Sequence, residues 1–165
     1  MEFKIRLAAP VDAMRCAEIH AESWVFAYSS CVPMEILEKH NAHRPAIWTK
    51  MLENNRDMHY VITLDDAISV FSQSCLHVIA DLAINVYELV GLYLAPDYIG
   101  KGFGRHTMEE IKAMILQRGY SAVSLWVLTE NFRAKAFYEK CGFVADGVQK
   151  DSGLLNIKEE RYILS

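Results

Sequence analysis

Three glycines, Gly100, Gly102 and Gly104, stand between an apolar run and a helical pattern, with Lys101 and Arg105 beside them. Glycine lets a backbone turn through positive φ and come close to a ligand. The first turn of a helix presents N–H groups without intrahelical partners and the positive end of its dipole. Together these make a phosphate cradle. A P-loop needs Gly-Lys followed by Ser or Thr, four residues after a first Gly, and nothing here fits. A dinucleotide fingerprint needs a third Gly where this chain has Arg105. The ligand class is therefore a phosphate carrier other than those two. The alternative is that the glycines only let a helix pack closely on a sheet.

Further along, Tyr138 lies about two helical turns after Asn131 and one turn after Ala134. A phenol titrates near ~10 and can donate a proton, or simply pack in a core. Arg133 and Lys135 share the exposed face of that helix, either solvated or meeting an anionic ligand. Glu88 interrupts an apolar run and shares strand parity with Val90, Leu92 and Leu94. A carboxylate there is costly unless paired or used. It is a candidate base, acting directly or through a water, or a solvent-facing residue at a strand start. Trp24, Tyr28 and Tyr93 are either core aromatics or walls of a pocket. Cys16, Cys31, Cys75 and Cys141 are widely spaced, and only His40 and His43 form a close histidine pair. Reduced thiols and no metal site are expected.

The elements that must carry these groups follow from periodicity. Phe3 to Leu7 alternates as a strand. Pro10 opens a helix with the stripe Met14, Ala17, Ala21, Trp24 and Tyr28. Glu35 to Ala42 and Ile47 to Asn54 read as short helices with a turn near Arg44-Pro45. Met58 to Leu64 and Ile68 to Phe71 read as a hairpin across Asp65-Asp66. The stretch 72–85 carries no clear period. Val86 to Leu94 is a strand, and a helix follows to about Arg118. Its ridge is Phe103, Thr107, Ile111 and Ile115, with Met108 alongside and Gly119 as the stop. Val123 to Val127 is a strand. Asn131 caps a helix that ends at Gly142. Strands from Phe143 and over Ile157 to Leu164 close the chain. This order predicts an α/β or α+β fold with a mixed sheet and helices on both faces.

The whole chain has 165 residues, 52% of apolar type, and a net charge of −4. One domain, 1–165, is expected. The acidic balance gives no footprint for nucleic acid. The most apolar stretch, Leu76 to Leu94, is broken by His77, Asp81, Asn85 and Glu88, so no membrane span is expected. With no signal-peptide pattern at the start, the cytoplasm is the expected compartment. Edge strands near the C-terminus could pair two copies into a homodimer.

Ile99-Gly100-Lys101-Gly102-Phe103-Gly104 resembles the acyl-CoA pyrophosphate loop of the GNAT superfamily of N-acetyltransferases. That loop reads Gln or Arg, two residues of any type, Gly, any residue, then Gly or Ala. Gly102 and Gly104 match, whereas Ile99 departs from the usual Arg or Gln. The stretch from Trp126 to Phe143 is similar to the family's second signature, N-x-x-A-x-x-F-Y-x-x-x-G-F. Asn131, Ala134, Phe137, Tyr138, Gly142 and Phe143 match every fixed position. The close likeness runs from about Glu88 to Phe143. His20-Ala21-Glu22-Ser23-Trp24 through Tyr28 looks like a bacterial branch of the family.

The resemblance implies a mostly antiparallel sheet of six to seven strands, splayed at Leu92 to Leu94. It implies acetyl-CoA as co-substrate, held by Leu92, Tyr93, Leu94, the loop from Ile99 to Arg105, Asn131, Ala134, Lys135 and Tyr138. Backbone groups of Leu92 and Leu94 would pair with the pantetheine, and the Leu92 N–H would steady the oxyanion. Tyr138 would be the general acid toward the thiolate. The implied reaction is direct acyl transfer to a primary amine, with Trp24 and Tyr28 near the acceptor. The acceptor is a small molecule, or else a protein N-terminus or lysine. A non-catalytic acyl-CoA-binding module is a third reading, which the presence of Tyr138 disfavours.

Overall fold

The computed structural model describes residues 3–54, 59–65, 67–75, 85–154 and 157–165. Among them are seven strands and five α-helices. Backbone contacts divide the chain into two compact units, residues 1–74 with 91–104, and residues 75–90 with 105–165.

In the first unit, β1 (Phe3–Leu7), β2 (Tyr60–Leu64) and β3 (Ala67–Cys75) form an antiparallel meander. The expected hairpin is present: Leu64 pairs with Ala67 across a turn in which Asp65 takes φ +48. An Asp tolerates that left-handed geometry better than most residues. β3 runs on to Cys75, so the first part of the patternless stretch is strand. The rest of it, 76–84, lies outside the described residues.

A 3-10 turn over Pro10–Asp12 leads into α1 (Ala13–Tyr28), which packs on α2 (Met34–Ala42) and α3 (Arg44–Asn54). α1 buries Ala13, Cys16, Ala17, Ile19 and His20; of the expected stripe Ala17 is buried, Ala21, Trp24 and Tyr28 are half-buried, and Met14 is 55% exposed. Asp12 fastens the start of the helix. Its carboxylate takes both Arg6 nitrogens, at 2.6 and 2.8 Å, and the Ala9 N–H at 2.7 Å. The turn expected at Arg44-Pro45 is instead the first turn of α3, where proline's missing N–H costs nothing. Ile19, Trp48, Leu52 and Val61 complete this core.

The second unit holds a parallel pair and an antiparallel set. β4 (Val86–Leu94) contributes its first residues, which pair in parallel with β5 (Ala122–Leu128) from Val86↔Ala122 to Glu88↔Ser124. β5 pairs antiparallel with β7 (Ile157–Leu164), and β7 with β6 (Val144–Leu154). The sheet is thus mixed, as expected. α4 (Phe103–Gln117) buries Thr107, Met108, Ile111 and Ile115, the ridge read from spacing. Gly119 follows with φ +83, and Gly142, after α5 (Phe132–Lys140), with φ +93. Each closes its helix in a conformation that penalises a side chain. Among the described residues, no helix is long and apolar enough to cross a membrane.

Candidate active site

The first unit carries the end of β4 and the glycine loop. Leu94 is followed by a 3-10 turn, Pro96–Tyr98, and the loop then enters α4 at Phe103. Gly100 and Gly102 take φ +79 and +89, and a Cβ built on either meets nothing within 4 Å. The glycines are therefore required by the turn and not by crowding. Lys101 and Gly102 are exposed, Ile99 and Phe103 half-buried and Gly104 buried. This is an accessible loop whose left-handed turns precede a helix start, the backbone form that receives a diphosphate. The donor atoms it offers are main-chain N–H groups, so Ile99 in place of a polar residue does not remove them.

Leu92, Tyr93 and Leu94 are half-buried on β4. The Leu94 carbonyl already accepts a hydrogen bond from Ser23 Oγ at 2.7 Å, tying α1 to the strand end. A carbonyl has a second lone pair, so this bond narrows rather than abolishes its capacity for a ligand. The Tyr93 ring lies back over Gly91, where a built Cβ would collide with Tyr93 Cε2. It packs on the His20 ring with centroids 4.0 Å apart. Trp24 and Tyr28 are both half-buried and meet edge to face at 5.4 Å. Trp24 also carries the Arg44 guanidinium over its ring, 4.2 Å from the centroid.

His20, Ser23, Arg44 and Gly91 carry little sequence signal of a site role: His20 and Ser23 lie within the His20-to-Tyr28 segment, Arg44 stands beside a proline, and Gly91 falls inside the apolar β4 strand. Burial, followed by the Arg44 charge, drives the His20 pKa down to about 2, so its ring is neutral.

The second unit carries the rest. Asn131 Oδ1 accepts from the Ala134 N–H at 3.1 Å, the expected cap of α5. Tyr138 is buried, its ring edge-on to Phe137 at 5.1 Å and Phe143 at 5.7 Å. Lys135 departs from the expected exposed face: it is half-buried and ion-paired to Glu160 at 2.8 Å. Arg105 and Arg133 are exposed. Glu88 is half-buried, between buried Tyr87 and Leu89, and Val90 on its own face is exposed. Its side of β4 is thus the more open one. Cys141 is buried at the end of α5, as helix-end packing predicts. Among the described residues no group of three His, Cys, Asp or Glu side chains is placed to hold a metal ion.

The profile of the acetyltransferase (GNAT) family matches residues 14–143. A spermidine N(1)-acetyltransferase of Thermoplasma acidophilum is 25% identical over 98% of this chain and 99% of its own length. The crystal structure of PaiA N-acetyltransferase from that organism, in complex with coenzyme A, superposes with a TM-score of 0.77 at 21% identity. It covers 98% of both chains. A ribosomal-protein-S18-alanine N-acetyltransferase from Escherichia coli superposes at 0.68 and 18% identity, over 99% of this chain and 93% of the other. The fold is therefore shared by enzymes named for spermidine and for an alanine of ribosomal protein S18, and does not choose between acceptors. With a family match over most of its length, a glycine loop of the required backbone form and both signatures seated on their helices, this chain belongs to the GNAT acetyltransferase family, acyltransferases that draw on acetyl-CoA.

Proposed function

We propose that this enzyme transfers the acetyl group of acetyl-CoA to a small-molecule primary amine by direct attack. The observation that carries the reading is the intact second signature: Asn131 caps α5 and Tyr138 sits two turns on, in a buried aromatic setting. The glycine loop, with its positive-φ turns at Gly100 and Gly102, receives the diphosphate through main-chain N–H groups. Leu92 supplies an N–H to the carbonyl oxygen as the amine adds. The C–S bond then breaks, and Tyr138 gives its hydroxyl proton to the departing thiolate. Glu88, or a water it holds, takes the proton that the ammonium must shed before its nitrogen can attack, because a free alkylammonium titrates near ~10, and the second proton, lost from the nitrogen once it has added, returns to the Tyr138 phenolate. Among acceptors, the spermidine-named relative puts polyamines on the panel beside simple alkylamines.

Amine-dependent release of thiol from acetyl-CoA tests this directly. Tyr138→Phe is expected to lower turnover by roughly 100-fold or more, with acetyl-CoA affinity by calorimetry unchanged. Equal thiol release in the two proteins would remove Tyr138 from the acid role. Binding of acetyl-CoA without release by any amine would point to a non-catalytic module.

A further inference from the structure

Arg44 is a buried cation that meets no anion among the described residues. The residue is 7% exposed, and no described carboxylate lies within ion-pair distance. Nη1 meets His20 Nε2 at 2.6 Å, Nε donates to Asn41 Oδ1 at 2.6 Å, and Nη2 has no hydrogen-bond partner among the described residues. His20 is poorly suited to the part. A neutral imidazole has one lone pair, yet this ring faces both Arg44 and the Trp48 indole N–H, at 3.2 Å from Nδ1. Only one of the two can be accepted at a time. Burial accordingly draws the guanidinium pKa down to about 10, because the surroundings do not repay its desolvation. A buried guanidinium without a counter-charge is expensive unless something supplies one.

The geometry points to what that is. Nε and Nη2 form one edge of the guanidinium fork, the edge that grips a planar carboxylate through two parallel N–H···O bonds. In the free protein a single amide oxygen, from Asn41, serves that edge. Asn41 is only weakly restrained on its other side, its Nδ2 lying 3.5 Å from the Ala21 carbonyl oxygen. Asn41 also lines an open groove of about 480 Å³, with Ala21, Glu22, Val25, Phe26 and Pro96. Arg44 itself does not line the groove, so an oxyanion entering along it must displace Asn41 to reach the fork.

We propose that the acceptor carries a carboxylate besides its amine, and that this carboxylate docks on the Nε–Nη2 edge of Arg44 in place of Asn41. The inference rests on the acetyltransferase reading and narrows its substrate class to amino acids, as against polyamines.

The test compares straight-chain probes of equal length, each bearing one primary amine and ending in methyl, ammonium or carboxylate. The set includes pentylamine, 1,5-diaminopentane and 5-aminopentanoate, with spermidine as an added competitor. Thiol release gives KM, and calorimetry in the presence of coenzyme A gives affinity without turnover. The carboxylate member is expected to lead its partners by roughly tenfold to hundredfold. Arg44→Gln should abolish that lead, and Arg44→Lys, which keeps charge without the fork, should retain only part of it. Asn41→Ala should bind the carboxylate as well as wild type or better, a readout that loss of folding cannot mimic. Turnover with no carboxylate advantage, or with spermidine preferred, overturns the inference and leaves the acetyltransferase reading standing. Arg44-dependent carboxylate binding without any acetylation upholds the site and overturns the reading. Absence of both overturns both.

Discussion

Gly91→Ala is a change that substitution tables would pass as harmless, and the structure says otherwise. A Cβ at this position would collide with Tyr93 Cε2 and stand 2.7 Å from Cζ and Oη. Carbon atoms rest near ~3.5 Å at closest comfortable approach, so the ring must retreat by about 1 Å or swing to another rotamer. Either movement spoils its packing on His20, now 4.0 Å between centroids. Overpacking of this kind costs about 1–3 kcal/mol. The methyl group's restriction of the unfolded chain returns about 0.4–1 kcal/mol. The net is a loss of up to about 2.6 kcal/mol, read as a fall in melting temperature of up to roughly 5–10 °C for a chain of this size. The assay is a double-mutant cycle by thermal or urea unfolding, with Tyr93→Ala as the second substitution. With the ring removed there is nothing to strike, so Gly91→Ala should become neutral or slightly stabilising. Acceptor KM should rise in Gly91→Ala because the displaced ring borders His20 and its Arg44 partner. Equal effects of Gly91→Ala with and without the Tyr93 ring would refute the argument, since the cost would then belong to the backbone.

Gly102→Leu places a branched side chain at φ +89, a region costing roughly 1–2 kcal/mol for an L-residue, in open space. Acetyl-CoA affinity measured by calorimetry should fall at least about tenfold while the circular dichroism spectrum persists; unchanged affinity would contradict the cradle. Asp12 titrates below the ordinary carboxyl range, chiefly through its Arg6 hydrogen bonds and, against the opposing effect of burial, with help from the Ala9 N–H. Its stabilisation is therefore complete above the unfolded value near ~3.9 and is lost as pH falls through the lower folded value. Asp12→Asn should flatten that acid limb in urea unfolding between pH 2 and 7, and lower stability at neutral pH by about 1–3 kcal/mol. Burial pushes the Cys16 thiol up to about 12 and raises that of Cys141, whereas Cys31 is exposed. Alkylation of the folded protein at pH 8, mapped by mass spectrometry, should label Cys31 and spare the other two; modified Cys16 without unfolding would show its pocket to be open.

Much of this protein is set by local chemistry and is legible in one dimension. Residues three and four apart share a helix face whatever surrounds them, so the buried ridge Thr107, Met108, Ile111 and Ile115 follows from spacing. The stops at Gly119 and Gly142 follow from the penalty on other residues at positive φ, and the Asn131 cap from a side chain that reaches its own helix. The glycine loop and the second signature are contiguous, so their chemistry could be read with their residues. Tertiary structure decided that Met14 is exposed while Cys16 and Ile19 are buried, since the packing of α1 on α2 and α3 selects its inner face. It alone joined His20, Trp24, Arg44 and Tyr93, which come from three elements separated by tens of residues. No periodicity marks an arginine as buried, since charge by itself predicts solvent. The packing of α3 on α1 is what takes Arg44 out of water and leaves one edge of its fork without an anion among the described residues.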